Sequence, residues 1–154
     1  MRFTLAWLKE YLEFDSSIDS LCQKLTSIGL EVEEVKNPKN HLNKFIVSEV
    51  VEINSHPNAD KLKICDVNNG KETLKIVCGA SNVKKNMKTV LASVGCIVKP
   101  NKEDQFKIKK SKIRGVESQG MLCSEEELNL SEESEGIIEL NENAKVGEDF
   151  NKYV

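Results

Sequence analysis

The sequence predicts an α+β fold, in which a small, partly open Greek-key β-barrel of five strands follows a short helix–helix–strand segment. Three observations predict it. Apolar residues recur at helical spacing between positions 18 and 28, whereas short β-type runs separated by turn residues fill positions 45–114. Gly95 lies inside one of the longer runs, where a bend suits the closure of a small barrel. With 39% apolar and 31% charged residues, the chain of 154 residues has the composition of an ordinary folded protein.

Residues 1–40 are expected to form two short helices and a strand. Thr4 can cap the first helix and Ser16 the second, while Gly29 stands where the second helix should end. Residues 30–33 alternate as a strand does. Because two short helices bury little apolar surface alone, this segment is expected to need a partner surface.

A linker containing proline and asparagine, at residues 37–40, divides the chain into two predicted domains, 1–40 and 41–154. The second domain contains the barrel. A further strand at residues 135–140 should pack outside it, and residues 147–154 should trail off. The barrel strands are predicted at residues 45–53, 62–67, 73–78, 89–98 and 107–114.

Charge is unevenly distributed along the chain. Residues 41–114 carry fifteen Lys or Arg against seven Asp or Glu, a net charge of +8, whereas residues 115–154 carry two against eleven, a net charge of −9. A basic block of this kind suggests a polyanionic partner. The alternative is that the two blocks neutralise each other within the fold, with the acidic segment 125–135 facing the last basic strand.

Several other classes of protein are disfavoured. The five cysteines are odd in number and form no Cys-x-x-Cys, so neither a disulfide framework nor a zinc site is predicted. No apolar run is long enough to cross a bilayer, and none opens the chain as a signal peptide would. His41, His56 and Cys78 are the candidates for catalysis, but nothing pairs a nucleophile with a base, so structural roles are expected. We therefore predict a cytoplasmic protein with no membrane contact, no metal site and no catalytic residue.

The stretch at residues 113–130, IRGVESQGMLCSEEELNL, is the most informative part of the sequence. A basic strand ends at Gly115, where the backbone should bend. A tight turn is predicted next, with Gly120 at positive φ. Ser124 and Glu127 then form a capping box that should begin a short acidic helix.

This stretch resembles the signature of the tRNA-binding OB-fold domain that occurs in several aminoacyl-tRNA synthetases and in free-standing tRNA-binding proteins. Two upstream segments match the same family in the same order, HPNADKL at residues 56–62 and IVCGASNV at residues 76–83. The family usually has glycine where this chain has Asn86 and Asn129. Because asparagine also tolerates the left-handed conformation, both turns are expected to persist.

The first forty residues are similar to the N-terminus of the β subunit of bacterial phenylalanyl-tRNA synthetases, in which a helix–helix–strand segment precedes an inserted OB-fold domain. This resemblance extends over essentially the whole chain and implies that the chain is the N-terminal part of a longer subunit. It further implies an α2β2 ligase that joins phenylalanine to tRNA with ATP and Mg²⁺ in protein biosynthesis. The active site of such a ligase belongs to the α subunit, so the chain itself is expected neither to catalyse nor to hold a cofactor.

The predicted function is therefore that of a tRNA-binding module, with tRNA and the synthetase α subunit as partners. Two alternatives stay open. One is an OB-fold protein-interaction module that docks an acidic partner on residues 41–114, and the other is a free-standing tRNA-binding chaperone.

OB folds bind nucleic acid on one sheet face and its adjoining loops. Alternation along the last predicted strand would place Lys110, Lys112 and Arg114 on one face. Phe45 and Phe106 are the only aromatic residues of the basic block, which favours recognition of folded RNA shape over base stacking. The residues expected to contact tRNA are Lys61, Lys63, Asn82, Lys84, Lys85, Lys88, Lys110, Lys112, Arg114 and Ser118.

Overall fold

The computed structural model describes residues 1–37, 40–99, 102–132 and 134–154, without the side chains of Asn40 and Asn43. The chain forms two compact units, Met1–Asn37 and Pro38–Val154. The linker predicted at residues 37–40 lies largely outside the described residues, so the domain boundary expected there stays a prediction.

Two capped helices form the first unit, as predicted. Helix α1 (Leu5–Lys9) begins after Thr4, whose Oγ1 accepts the N–H of the residue three positions on at 3.1 Å. Helix α2 (Ile18–Ser27) is capped by Ser17 rather than by Ser16. The cap lies one residue later than expected because Ser17 is the last residue with extended backbone angles, and its Oγ accepts an N–H of the first turn at 3.2 Å.

The second helix ends at a glycine in the left-handed conformation. Gly29 has a φ of +91°, and the N–H of Leu30 donates to the Leu25 carbonyl at 2.9 Å, which completes a Schellman motif. The strand predicted at residues 30–33 is wrong, since in the described chain these residues pair with no other strand. Neither helix contains a buried residue, and the partner surface expected for this segment stays a prediction.

The second unit is built from antiparallel strands, with short 3₁₀ helices at Asn40–Lys44 and Phe150–Tyr153. Five of the strands form one sheet in the order β3-β2-β1-β4-β9, and the others form the ribbons β5–β6 and β7–β8. The strands are β1 (Phe45–Ser55), β2 (Lys63–Asn68), β3 (Thr73–Cys78), β4 (Lys88–Ser93), β5 (Ile97–Val98), β6 (Phe106–Lys107), β7 (Ser111–Ile113), β8 (Val116–Ser118) and β9 (Gly120–Leu122).

The two edges of the five-stranded sheet approach each other. The N–H of Gln119, between β8 and β9, donates to the Lys75 carbonyl of β3 at 2.9 Å, and its side-chain oxygen accepts the N–H of Lys75 at 3.2 Å. The sheet thereby curls into a nearly closed barrel whose strand order is that of the OB fold. The predicted α+β class and five-stranded barrel are confirmed.

The C-terminal segment is part of the core, so the prediction that residues 147–154 trail off is wrong. Val47 exchanges backbone hydrogen bonds of 2.8 Å with Gly147 and Glu148, and Phe150 is buried in the apolar cluster around Phe45. No local pattern indicates this packing, because the segment is short and mostly polar.

The predicted strand at residues 107–114 is interrupted. Ile108 leaves the strand path because it is buried in the core. The Ile108 carbonyl accepts the N–H of Gly95, and the Ile108 N–H donates to the Cys96 carbonyl, both at 2.8 Å. Regular pairing resumes only at Ser111–Ile113. The bend expected at Gly95 is confirmed by its φ of +97°, and it separates β4 from β5.

Gly120 is not in a turn. It has no positive φ and lies in β9 opposite Ser93. A Cβ atom at this position would lie 2.9 Å from the Ala92 carbonyl oxygen and 3.1 Å from Leu91 Cδ1. The close approach of β4 therefore requires a glycine here. The predicted tight turn with a positive φ at Gly120 is wrong.

The acidic stretch after Ser124 forms consecutive turns instead of the predicted helix. The capping-box contact forms nevertheless, since the Ser124 N–H and hydroxyl both donate to the Glu127 carboxylate. Residues 135–140 do not form the predicted strand. They are hydrogen-bonded to the barrel all the same, for example from the Ile138 N–H to the Cys123 carbonyl at 2.9 Å. Both asparagines that replace glycines keep the left-handed conformation as expected, Asn86 at φ +63° and Asn129 at φ +55°.

Candidate nucleic-acid interface

The first motif segment, residues 56–62, holds the tip of the β7–β8 hairpin. His56 is 5% exposed, and its Nδ1 accepts the backbone N–H of Asn58 at 3.0 Å. Since Nδ1 is an acceptor, the ring proton is on Nε2, which donates to the Ile113 carbonyl at 2.9 Å. Asn58 Nδ2 donates to the next carbonyl, that of Arg114, at 3.0 Å. The structural role expected for His56 is confirmed.

The second motif segment holds the base of the same hairpin through Ser118. The Ser118 Oγ accepts the N–H of Val77 and donates to the Gly120 carbonyl, both at 3.1 Å. This serine is 2% exposed. Its hydroxyl is therefore engaged within the fold, whereas the contact with tRNA expected of Ser118 stays a prediction.

Asn82 is used in a similar way. Its amide donates to the Ile137 carbonyl at 2.8 Å and accepts the Ile137 N–H at 2.9 Å. Gly136 allows this approach, because a Cβ atom there would lie 2.6 Å from Asn82 Oδ1. Asn82 thus fastens residues 135–140 to the barrel, and both ends of its amide are already engaged where a contact with tRNA was expected.

The lysines near the start of β4 have partners within the fold, and we call Lys84, Lys85 and Lys88 the paired lysines. Lys84 Nζ lies 2.6 Å from a Glu139 carboxylate oxygen and Lys85 Nζ lies 3.0 Å from one of Glu52. Lys88 Nζ donates to the carbonyls of residues 142 and 144 at 2.6 and 2.7 Å. Only Lys84 therefore pairs with a carboxylate of the acidic block, since Lys85 pairs within the basic block and Lys88 bonds neutral carbonyls.

The cations of residues 107–114, which we call the basic segment, differ from the paired lysines. All five are exposed, and none forms an ion pair with any residue that the structure describes. In the described ranges the acidic stretch forms no ion pair with them; Glu126 pairs with Lys99, and Glu127 accepts hydrogen bonds from Ser124. The five are Lys107, Lys109, Lys110, Lys112 and Arg114.

The predicted common face of Lys110, Lys112 and Arg114 is wrong. Only Lys112 lies in β7 (Ser111–Ile113), whereas Lys110 precedes the strand. Arg114, at φ +49°, forms the hairpin turn with Gly115, at φ +88°. Strand alternation therefore does not relate the three side chains. They nevertheless lie within five consecutive positions of the chain, in the hairpin or directly before it, so their charges stay close together.

Two further predicted contacts lie near the first motif segment. Lys61 is exposed in the loop before β2, and Lys63 is the half-buried first residue of that strand. Neither forms an ion pair within the described ranges of the chain. Both cations therefore stay candidates for phosphate contact.

The sequence did not point to Lys99, which ties two loops together. Its Nζ lies 2.8 Å from an Asp104 carboxylate oxygen and 2.7 Å from one of Glu126. Hydrogen bonds to Asp104 and to Glu126 raise the pKa of Lys99, and the same contact lowers the pKa of Asp104. No local motif surrounds Lys99, so only the folded chain reveals this contact.

The thiols of Cys65 and Cys78 are unsuited to nucleophilic attack. Burial raises the pKa of Cys78 and raises that of Cys65 to about 12, so both thiols stay protonated near neutral pH. His41, the other histidine, contacts the Leu128 carbonyl through Nε2 at 2.8 Å. In the described part of the chain, no three His, Cys, Asp or Glu side chains form a group that could hold a metal ion. None of the described helices has the length and apolar character needed to span a membrane.

The barrel, the three motif segments around its hairpin and the exposed basic segment agree with a comparison to known families. Residues 45–149 match the family model described as "Putative tRNA binding domain". That match covers most of the chain, and the chain belongs to this family.

Curated relatives narrow the comparison. The chain is 55% identical over 153 residues to the phenylalanine–tRNA ligase β subunit of Rickettsia conorii, which covers 99% of this chain and 18% of that protein. It is 53% identical over 151 residues to the phenylalanine–tRNA ligase β subunit of a Wolbachia of Brugia malayi, covering 97% of this chain and 19% of the relative. The chain thus spans less than a fifth of the length of these relatives, and the resemblance to this subunit is confirmed.

Solved structures share the fold at lower identity. A MetRS-related protein from Pyrococcus horikoshii superimposes with a TM-score of 0.51 at 24% identity, over 74% of this chain and 95% of that one. An RNA ligase of Naegleria gruberi gives a TM-score of 0.50 at 17% identity, over 72% of this chain and 33% of that one. At these identities the similarity supports the fold alone.

Proposed function

We propose that the chain is the tRNA-binding module of a phenylalanine–tRNA ligase β subunit and that it contacts tRNA phosphates through the basic segment. One observation carries the proposal. Five cations lie within eight residues of the segment, all are exposed, and none has an ion-pair partner among the described residues. Lysine and arginine in this state can bind phosphate without first breaking an internal contact.

The rigidity of the hairpin supports the same proposal. The bonds from His56 and Asn58 fix the carbonyls of Ile113 and Arg114, so the cations near the turn project from an ordered backbone. An ordered ribbon loses less conformational freedom on binding than a flexible loop would. Because phosphate contacts carry little sequence information, the module is expected to recognise the backbone of folded tRNA.

The role proposed for the whole protein rests on its similarity to the curated relatives. Relatives named as phenylalanine–tRNA ligase β subunits support a role in attaching phenylalanine to tRNA in protein biosynthesis. In this proposal the chain works in the cytoplasm with an α subunit, in an α2β2 complex. ATP and Mg²⁺ serve the active site of that α subunit, and this chain supplies RNA contacts without catalysing.

Fluorescence anisotropy of labelled tRNA, titrated with the chain at several salt concentrations, tests the proposal. The logarithm of the binding constant should fall linearly with the logarithm of the salt concentration, because each phosphate contact releases counterions. Polyglutamate of equal total charge serves as the competitor and should displace tRNA poorly. Efficient displacement by polyglutamate would favour the acidic-partner alternative, and binding without salt dependence would contradict the phosphate contacts.

A further inference from the structure

A cleft of about 740 Å³ opens beside the basic segment. Three parts of the chain form most of its walls. They are the end of β3 with the loop that follows it, the segment 106–113, and the residues of β9 and beyond. Apolar side chains from each of these parts line it, including Val77, Ile113, Met121 and Ile137. A cleft of this size can enclose a small planar group, and its apolar lining favours one that is not itself charged.

The only exposed aromatic side chain of the basic block lines this cleft. Of the two aromatic residues in positions 41–114, Phe45 is fully buried, whereas Phe106 is 44% exposed. Phe106 belongs to neither apolar core cluster and lies among the residues that line the cleft. Core packing therefore does not explain this phenylalanine.

Two cations line the same cleft as the aromatic ring. Lys107 and Lys109 also line the cleft, both are exposed, and neither forms an ion pair in the described part of the chain. The cleft thus combines an aromatic surface, apolar walls and positive charge, and the one carboxylate in its lining, that of Glu127, accepts hydrogen bonds from Ser124. A nucleotide matches this combination, because its base stacks on an aromatic ring while its phosphate needs a cation.

We propose that the cleft binds one unpaired nucleotide of the RNA, with its base stacked on Phe106 and its phosphate contacted by Lys107 and Lys109. The inference rests on the proposed tRNA binding and adds to it a site for a single base. Membership of a tRNA-binding family favours RNA over a peptide as the occupant. Phosphate contacts still supply most of the affinity, since Phe106 is the one stacking side chain that the described basic block exposes.

A short unstructured RNA that carries 2-aminopurine is the probe, because 2-aminopurine fluorescence falls when the base stacks. The chain should quench this fluorescence. Phe106→Ala should abolish the quenching and weaken binding by about 5- to 150-fold, the range measured when a stacking aromatic is removed. Phe106→Tyr keeps the ring and should retain both, whereas Phe106→Leu should not.

Ile97→Ala is the matched control. Ile97 pairs with Lys107 in the same ribbon and is 46% exposed, but it does not line the cleft. This variant should quench and bind like the wild type. Because Phe106 is also half exposed, both variants should melt close to the wild type.

The outcomes separate this inference from the proposed function. Quenching that persists in Phe106→Ala, or that is absent from the wild type while tRNA still binds with a steep salt dependence, overturns the nucleotide site alone. Failure of the wild type to bind tRNA overturns the proposed function. Changing both Lys107 and Lys109 to Gln should lower the salt slope for the short RNA by about 0.7 for each phosphate that the variant no longer binds. An unchanged slope would contradict the role given to these lysines.

Discussion

The paired lysines and the basic segment come from the same basic block of the chain, yet the fold treats them in opposite ways. Each paired lysine meets an oxygen that is distant in sequence, such as Glu139 for Lys84 and Glu52 for Lys85. The cations of the basic segment have no such partner among the described residues. The net charge of the block therefore overstates the charge available to a ligand. What matters is which cations the fold leaves without a counter-charge.

The largest effect is expected from destabilising the barrel that carries both groups of cations. Gly120→Ala should lower the stability by about 1–3 kcal/mol, because the new methyl group meets the Ala92 carbonyl of β4. Gly120→Asn should be no milder, since the constraint is contact and not a positive φ. Thermal unfolding checks this, and an Asn variant that melts like the wild type while the Ala variant does not would contradict the contact explanation.

The next effect should separate the two groups of cations directly. Changing Lys110, Lys112 and Arg114 to Gln should weaken tRNA binding by on the order of tenfold or more at low salt. The slope of log K against log salt should fall by about 2–3 units if all three contact phosphate. Their removal should leave the melting temperature nearly unchanged, since exposed charges contribute little to stability. A lower melting temperature with an unchanged salt slope would mean that these cations serve the fold.

A third change tests whether the hairpin must be held in place. Asn58→Ala removes the hydrogen bond to the Arg114 carbonyl and should reduce stability by about 0.5–1.5 kcal/mol. The affinity for tRNA should fall a few-fold while the salt slope stays the same, because every cation is retained. Asn54→Ala, at an exposed position of β1, is the control and should change neither quantity. Equal effects of the two variants would argue against a role of the Asn58 hydrogen bond in holding the hairpin.

The smallest effect is expected from the exposed members of the paired lysines. Changing Lys84 and Lys85 to Gln removes two surface ion pairs, each contributing about 0–1 kcal/mol to stability. The salt slope for tRNA should differ little from that of the wild type. Anisotropy measured beside the triple variant gives the comparison, and a slope reduced by as much as in that variant would show that RNA competes successfully for these lysines.

The sequence predicted the first four barrel strands because each is a run rich in apolar residues that is bounded by turn or loop residues. It also predicted the left-handed turns at Asn86 and Asn129, since only a few residue types tolerate that conformation. It failed where long-range packing decides the local structure. Ile108 leaves the predicted strand because the core accepts its side chain and the bend at Gly95 bonds its backbone, and no local pattern reports either contact.

The candidate site was predictable in part for a related reason. A run of cations is visible in the sequence, and so are the three motif segments. The motif does not tell whether a polar side chain serves RNA or the fold, however, and Asn82 and Ser118 both bond the backbone. Partners such as Glu139 for Lys84 lie more than fifty residues away, so the pairing that divides the lysines is a property of the folded chain.

The contact between Ile46 and Asp149 places the entry and the exit of the barrel side by side. A module with adjacent ends can be inserted into a loop of another domain while spreading that loop by no more than the spacing of neighbouring strands. The barrel therefore begins and ends at one point of its surface, which is the geometry that insertion into a loop requires.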